Sequence, residues 1–316
     1  MASYLFVHAM FGGKNDCKKN AERIYRNRTA PLDLFDDAEL VNRYRLSRRA
    51  IQEVTELCRP ELERATQRSR ALNPDLQVLI TLRYLGKGGF QSELADLHGV
   101  SQPTVSRAIG TTVDILSRKL DRIRFPKDAT SQWEVKQVFH ALAGFPNVLG
   151  CIDGTLIAIV RPQACEEAAY VCRKGFHAVN IQAICDGDLR FTNVVCRWPG
   201  ATHDSYIFNN STIGSYLEES GGRNGWLLGD SGYACRPWMV TPLSNPQTQG
   251  EERFNGALCK TRNTVERAFG LMKSRFRYTT CVSTIAFHPC QPYLQRMAMT
   301  THMTVHLEMD TRQGNA

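Results

Sequence analysis

VLGCIDGTLIAIV, residues 148–160, is the stretch on which the fold turns. Apart from Asp153 and Thr155 it holds only apolar residues and glycine, the composition of a fully buried strand. A bare carboxylate inside such a strand costs roughly several kcal/mol unless something pairs with it. A divalent cation is the natural partner. Two further acids stand in unlike settings: Asp204 in RWPGATHDSYIF (197–208) and Glu266 in RNTVERAFGLMKSRFR (262–277). A strand, a loop and a helix could therefore bring three carboxylates to one point. Two metal ions about 4 Å apart, clamped by such acids, are the standard apparatus of phosphodiester chemistry.

Strand signals continue downstream. His177–Cys185 and Leu189–Cys196 read as a pair joined at Asp186-Gly187-Asp188, where Asp186 and Asp188 suit a hairpin turn better than a metal. Asp204–Leu217 reads as a helix, for which Asp204 or Ser205 could be the N-cap. Trp226–Gly229 is a short strand ending at Asp230, which either turns the chain toward Gly232 or adds a fourth carboxylate. Residues 241–256 read as a polar loop. Lys260–Arg277 is a helix with Val265, Phe269, Met272 and Phe276 on one stripe. Glu266 lies at the edge of that stripe, able to reach inward or to pair at the surface with Arg262 or Arg267.

Upstream, the periodicity is helical. Ser47 suits an N-cap before Ile51, Val54 and Leu57, and a second helix runs from Pro74 to Leu85, stopped by the glycines at 86–89. In FQSELADLHGVSQPTVSRAIG (90–110), Gln91–His98 is a short helix, Gly99 the turn, and Ser101 with Pro103 the start of the next. Ala95, Gly99 and Val105 fall where a helix-turn-helix needs a small residue, a turn glycine and a buried β-branched residue. Gln102, Thr104, Ser106 and Arg107 would then face DNA. RFPKDA (124–129) reads as a linker. The expected division is a basic arm over 1–30, a helical domain over 31–130, an α/β domain with a mixed sheet over 148–280 and an atypical tail over 281–316.

Charge agrees with a polyanionic partner. The 316 residues carry a net charge of +8, and 22 of the 39 Lys/Arg but only 16 of the 31 Asp/Glu lie in residues 1–130. Eleven scattered cysteines without a CxxC pair suit a reducing, intracellular setting. No apolar run reaches the 18 or so residues of a membrane-spanning helix, and the first residues lack the charge pattern of a secretory signal. His177 and His203 with Cys165 or Cys172 match no tight zinc spacing. The glycines around Lys87 are not a phosphate-binding loop.

Together these segments resemble the PIF/Harbinger transposase superfamily, with the Harbinger transposase-derived nucleases of the DDE type. The resemblance rests on RYRLSRRAI, RALNPDLQVLITLRYLGKGGFQSELADLHGVSQPTVSRAI, IDGTLI, RKGFHAVNIQAICDGDLRFTNVVCRWPGATHDSYIF, LLGDSGY and NTVERAFGLMKSRFR, in that order between about Pro31 and Arg277. It implies an RNase H-like catalytic domain whose D-D-E triad falls on Asp153, Asp204 and Glu266, with Asp230 as a further acid near Mg²⁺ or Mn²⁺. It also implies DNA as substrate, a Myb/SANT-like DNA-binding partner protein, and residence in nucleus and cytoplasm. The family's closing apolar helix is missing: Pro289 and Pro292 interrupt the tail, which is expected to pack poorly. The rival expectation is a DNA-binding or scaffold protein that kept the fold and lost catalysis.

Overall fold

The structure, a computed structural model, describes residues 31–64, 71–119, 123–162 and 166–279. The expected arm and tail lie outside them. The helical half begins with α1 (Pro31–Leu34), α2 (Asp37–Tyr44) and α3 (Arg48–Leu62). Ser47 caps α3 as its sequence predicts, accepting from Ala50 N–H. Asn73 caps α4 (Pro74–Lys87), which ends on Gly88 at φ 67°, a left-handed turn that suits glycine. α5 (Gln91–His98) and α6 (Gln102–Lys119) are joined through Gly99, also left-handed at φ 62°. The Ser101 hydroxyl lies 2.9 Å from that of Thr104 at the start of α6.

Residues 123–128 are irregular, with Phe125 buried in a core beside Leu149 and Leu217, and Asp128 then caps α7 (Ala129–Ala143) through Ser131 N–H. That helix was not expected. It packs against β1 (Val148–Ala158), the strand that opens the sheet. A short α8 (Glu167–Tyr170) precedes β2 (Ala178–Cys185) and β3 (Phe191–Pro199). The expected single helix after Asp204 is two: α9 (Asp204–Asn209) and α10 (Thr212–Ser220), the second capped anew by Ser211. β4 (Trp226–Leu228) and β5 (Met239–Val240) complete the sheet. The last helix, α11 (Gln249–Arg275), takes in half of the expected loop. Thr248 and Glu251 form a capping box that starts it eleven residues before Lys260. A 3₁₀ turn, Arg277–Thr279, follows.

The five strands run in the order β3-β2-β1-β4-β5. β1, β2 and β3 are antiparallel neighbours, whereas β4 pairs with β1 in parallel and β5 with β4 in parallel, so the sheet is mixed. Alternation along β1 decides what each face carries. Cys151 and Asp153 face α11: the Cys151 thiol donates to the Thr261 carbonyl at 3.4 Å. Ile152 and Gly154 face α9 and α10, against Phe208, Ile213 and Leu217. One hydrophobic core runs from α4 to α6 through β1 and β2 to α11, including Ile80, Val105, Cys151, Phe269 and Phe276. Cys58, Cys151, Cys172, Cys185 and Cys196 are free and buried as small core residues.

Candidate active site

Three aspartates lie within electrostatic reach of one another beside the middle of β1. Asp153 is on β1 itself. Asp230 lies two residues beyond Leu228, whose register partner on the parallel strand is Cys151, two residues before Asp153. The two acids thus leave neighbouring strands at the same level. Asp204 comes from the opposite face. It is the first residue of α9, but it does not cap that helix: His203 holds the cap position, with no side-chain cap bond. Its carboxylate instead accepts from Asn180 Nδ2 at 2.7 Å and lies directly over Gly154. A Cβ on Gly154 would sit 2.3 Å from Asp204 Oδ1, so only glycine lets this carboxylate reach β1.

The wall behind Asp204 is polar and buried. Gln182 donates through Nε2 to the Asp204 backbone carbonyl at 2.8 Å and to the Tyr233 hydroxyl oxygen at 2.9 Å. Asn180 and Gln182 alternate along β2, so both face the same side. Asn180, Gln182, Tyr233 and Arg262 are contributors that motif reading missed as site residues. The signal for the first two was a pair of amides at period two inside an apolar strand.

Glu266 enters through Arg262. The Arg262 guanidinium donates to Asp153 Oδ2 at 3.3 Å and to Glu266 Oε1 at 2.6 Å, so one cation bridges the strand acid and the helix acid. The Glu266 side chain is 51% exposed against 20% for Asp153. The surface pair with Arg262 is therefore what Glu266 makes, and Arg262 stands between it and the aspartates. Asp230 makes the expected turn, Oδ1 accepting from Gly232 N–H at 2.9 Å, and its charge acts on Asp153 and Asp204.

Burial and mutual repulsion both act on the cluster. Burial pushes the Asp153 carboxyl above its usual range. The Gly154 N–H and Arg262 oppose the rise, and Asp230 and Asp204 add to it. Burial likewise raises Asp204, helped by Asp230 and opposed by the Asn180 bond and by Arg173 and His203. The Tyr233 phenol is raised well above its usual value by burial, and then by Asp204, Asp153 and Asp230. Among the described residues no three His, Cys, Asp or Glu side chains are gathered to hold one ion as they stand. His177 pairs with Glu167 at 3.1 Å, away from any such group. The aspartates nonetheless present the hard oxygen donors that Mg²⁺ and Mn²⁺ take, and burial raises the carboxyls of Asp153 and Asp204. Asn180 Oδ1 is one more oxygen beside Asp204, buried without a hydrogen-bond partner.

A family model described as DDE superfamily endonuclease matches residues 152–305, a span containing all four acids. The human protein named "Putative nuclease HARBI1" is 38% identical over 247 residues, covering 78% of this chain and 70% of that protein. The chain belongs to the HARBI1 family of Harbinger transposase-derived proteins. The Xenopus laevis HARBI1 is 32% identical over 247 residues, 78% of this chain and 71% of that protein. The Arabidopsis thaliana protein named "Protein ALP1-like" is more distant, 28% identical over 218 residues, 64% of this chain and 53% of that protein. No solved structure matches significantly. Among the described residues, this HARBI1-family chain has no helix long and apolar enough to cross a membrane.

Of the residues expected to face DNA, Gln102, Ser106 and Arg107 are exposed and Thr104 half-buried, at the start of α6. Val105 behind them is fully buried. The Arg107 guanidinium bonds its own helix, at Pro103 O, 3.2 Å.

Proposed function

We propose that this chain is a DNA nuclease of the DDE type, cleaving phosphodiester bonds beside the middle of β1, where β4 ends. One observation carries the reading: Asp153 on β1, Asp204 at the start of α9 and Asp230 just past β4 lie close enough that Asp230 acts on both of the others and Asp204 on Asp153. The resemblance to DDE endonucleases supports it. Asp153, Asp204 and Asp230, with Glu266 at the rim, would hold Mg²⁺ or Mn²⁺. When bound, the metal would activate a water or a 3′ hydroxyl and stabilise the leaving oxygen.

The chain's own residues prepare the site. Gly154 leaves room for the Asp204 carboxylate, Asn180 orients it, and Gln182 fixes the backbone of α9. Arg262 holds Asp153 and Glu266 in register and is, among the described residues, the cation bonded to both. The α5–α6 pair would contact the duplex through Gln102, Thr104, Ser106 and Arg107, as a helix-turn-helix. A Myb/SANT-like partner and a nuclear and cytoplasmic location belong to the same proposal.

Plasmid nicking with and without Mg²⁺ or Mn²⁺ tests it. Wild-type protein should cut only with metal, and Asp153→Asn should lose at least about 100-fold. Equal cutting by the variant would remove the carboxylates from the mechanism. A second reading has one observation in its favour, the Arg262 bridge that occupies both Asp153 and Glu266. On that reading the chain is a silent DNA-binding scaffold. It predicts neither cutting nor any metal-dependent rise in melting temperature.

A further inference from the structure

Six cations lie at the ends of three elements. Arg43 and Arg45 end α2, Arg83 and Lys87 end α4, and Arg275 and Arg277 end α11 and open the 3₁₀ turn that packs against α4. The Arg83 guanidinium donates to the Arg43 carbonyl at 3.3 Å, and Lys87 Nζ to Asn42 Oδ1 at 3.4 Å. Among the described residues Glu39 brings a carboxylate to the group, 3.5 Å from Arg43.

The fold accepts local penalties to build this surface. Arg45 takes the left-handed helix end at φ 67°, a conformation that ordinarily favours glycine or asparagine. Its side chain lies over Gly86, where a Cβ would come within 2.8 Å of Arg45 Cγ. A glycine inside α4 and a strained arginine beyond α2 are thus complementary. Arg45 Nε is buried with no hydrogen-bond partner among the described residues. Burial lowers the pKa of Arg45, with Arg277 and Arg275 adding to it. Burial also leads the lowering of Lys87, followed by Arg45, Arg83, Arg277 and Arg43. Like charges therefore stand close enough to act on one another in the folded chain.

We propose that the Arg45–Arg83–Lys87–Arg277 surface binds the phosphodiester backbone of nucleic acid, as a second contact separate from the carboxylate site and from the Gln102–Arg107 helix start. Three element ends from separate parts of the chain form a broad, multipoint surface, which suits a continuous polyanion better than one small anion. Guanidinium groups also suit phosphate oxygens in geometry. The proposal does not require the aspartates to be catalytic.

The test is fluorescence anisotropy with a short labelled duplex, titrated between about 50 and 200 mM salt in the Asp153→Asn background so that no duplex is consumed. Lys87→Glu with Arg277→Glu should weaken binding roughly tenfold or more and lower the salt slope by about 0.9 for each phosphate left without its cation. The charge-matched pair Arg49→Glu with Arg223→Glu lies outside the cluster and should change much less. Lys87→Gln alone repeats the measurement with milder chemistry if the double variant misfolds, and should lower the slope by the share of a single phosphate. Equal losses in both pairs, or none in either, would overturn the proposal. So would a cluster variant that loses binding to polyglutamate but keeps wild-type duplex affinity, since the surface would then serve an acidic protein. Plasmid nicking is scored separately, so loss of duplex affinity and loss of catalysis are distinguishable.

Discussion

Gly154 and Asp204 carry the strongest constraint on a single residue. Gly154→Ala would place a methyl 2.3 Å from Asp204 Oδ1, and Asn180 leaves that carboxylate little freedom to move away. The expected outcome is a folded protein, destabilised by about 1–3 kcal/mol as overpacked sites are, with nicking reduced at least as far as in Asp204→Asn. Circular dichroism with the plasmid assay checks both halves, and an active Gly154→Ala would show that Asp204 need not touch β1. Asp204→Asn makes a different prediction, about pH. The folded Asp204 carboxyl is raised, so the folded chain holds that proton more tightly than the unfolded one. Stability is therefore fullest below the unfolded carboxyl value of about 3.9 and falls as pH rises through the folded value. The asparagine escapes that fall. At neutral pH it should melt above wild type, by about 1–2 °C if roughly 1 kcal/mol is recovered, with the gap closing near pH 3 to 4. A variant less stable at neutral pH would mean that the carboxylate is already neutralised. Asp153 was legible in the sequence because a charge in an apolar strand is conspicuous. Arg262 as its partner was not, since that contact joins residues far apart in the chain and needs the packing of α11 on β1.

Among the elements, those with strong stripes or caps were readable and those without were not. α3 and α4 show both, and their caps fall where the sequence puts them. α7 buries fully only Gln132 and Phe139, so it has almost no apolar period to detect, and Asp128 was its one clear signal. The start of α11 is polar, and Thr248-x-x-Glu251 was the available cue. The break between α9 and α10 follows from Ser211, which caps the second helix through Gly214 N–H. At Gly214 a Cβ would lie 2.3 Å from the Phe208 carbonyl. The α5–α6 pair has the expected Gly99 turn and buried Val105, yet geometry alone does not tell a DNA reader from a structural pair. Arg107→Ala decides it. The guanidinium is exposed and holds only its own helix, so removing it should leave the melting temperature within the scatter of surface changes. Duplex affinity should fall and the salt slope drop by about 0.9 if Arg107 meets a phosphate. Unchanged slope would make α5–α6 a packing element.

At the scale of the molecule, the sequence suggests a helical part and an α/β part, whereas the packing joins them. Phe276 is fully buried at the end of α11, and the turn after it packs on α4, so one core passes from the helices to the sheet. Two parts that share a core lose their facing surfaces together, which argues for a single cooperative transition. The chain offers a direct probe, because its four tryptophans, Trp133, Trp198, Trp226 and Trp238, all lie after α6. Tryptophan fluorescence therefore reports α7 and the sheet half, while far-ultraviolet circular dichroism is dominated by all the helices. The two melting curves should coincide. Phe276→Ala should lower both midpoints together, at about 3–5 kcal/mol for a phenylalanine removed from a core, because the cavity opens where the halves meet. If the curves separate, or if the substitution lowers the fluorescence midpoint and leaves the helices unmoved, the halves fold as independent units and the helical half could be detached from the carboxylate site without loss.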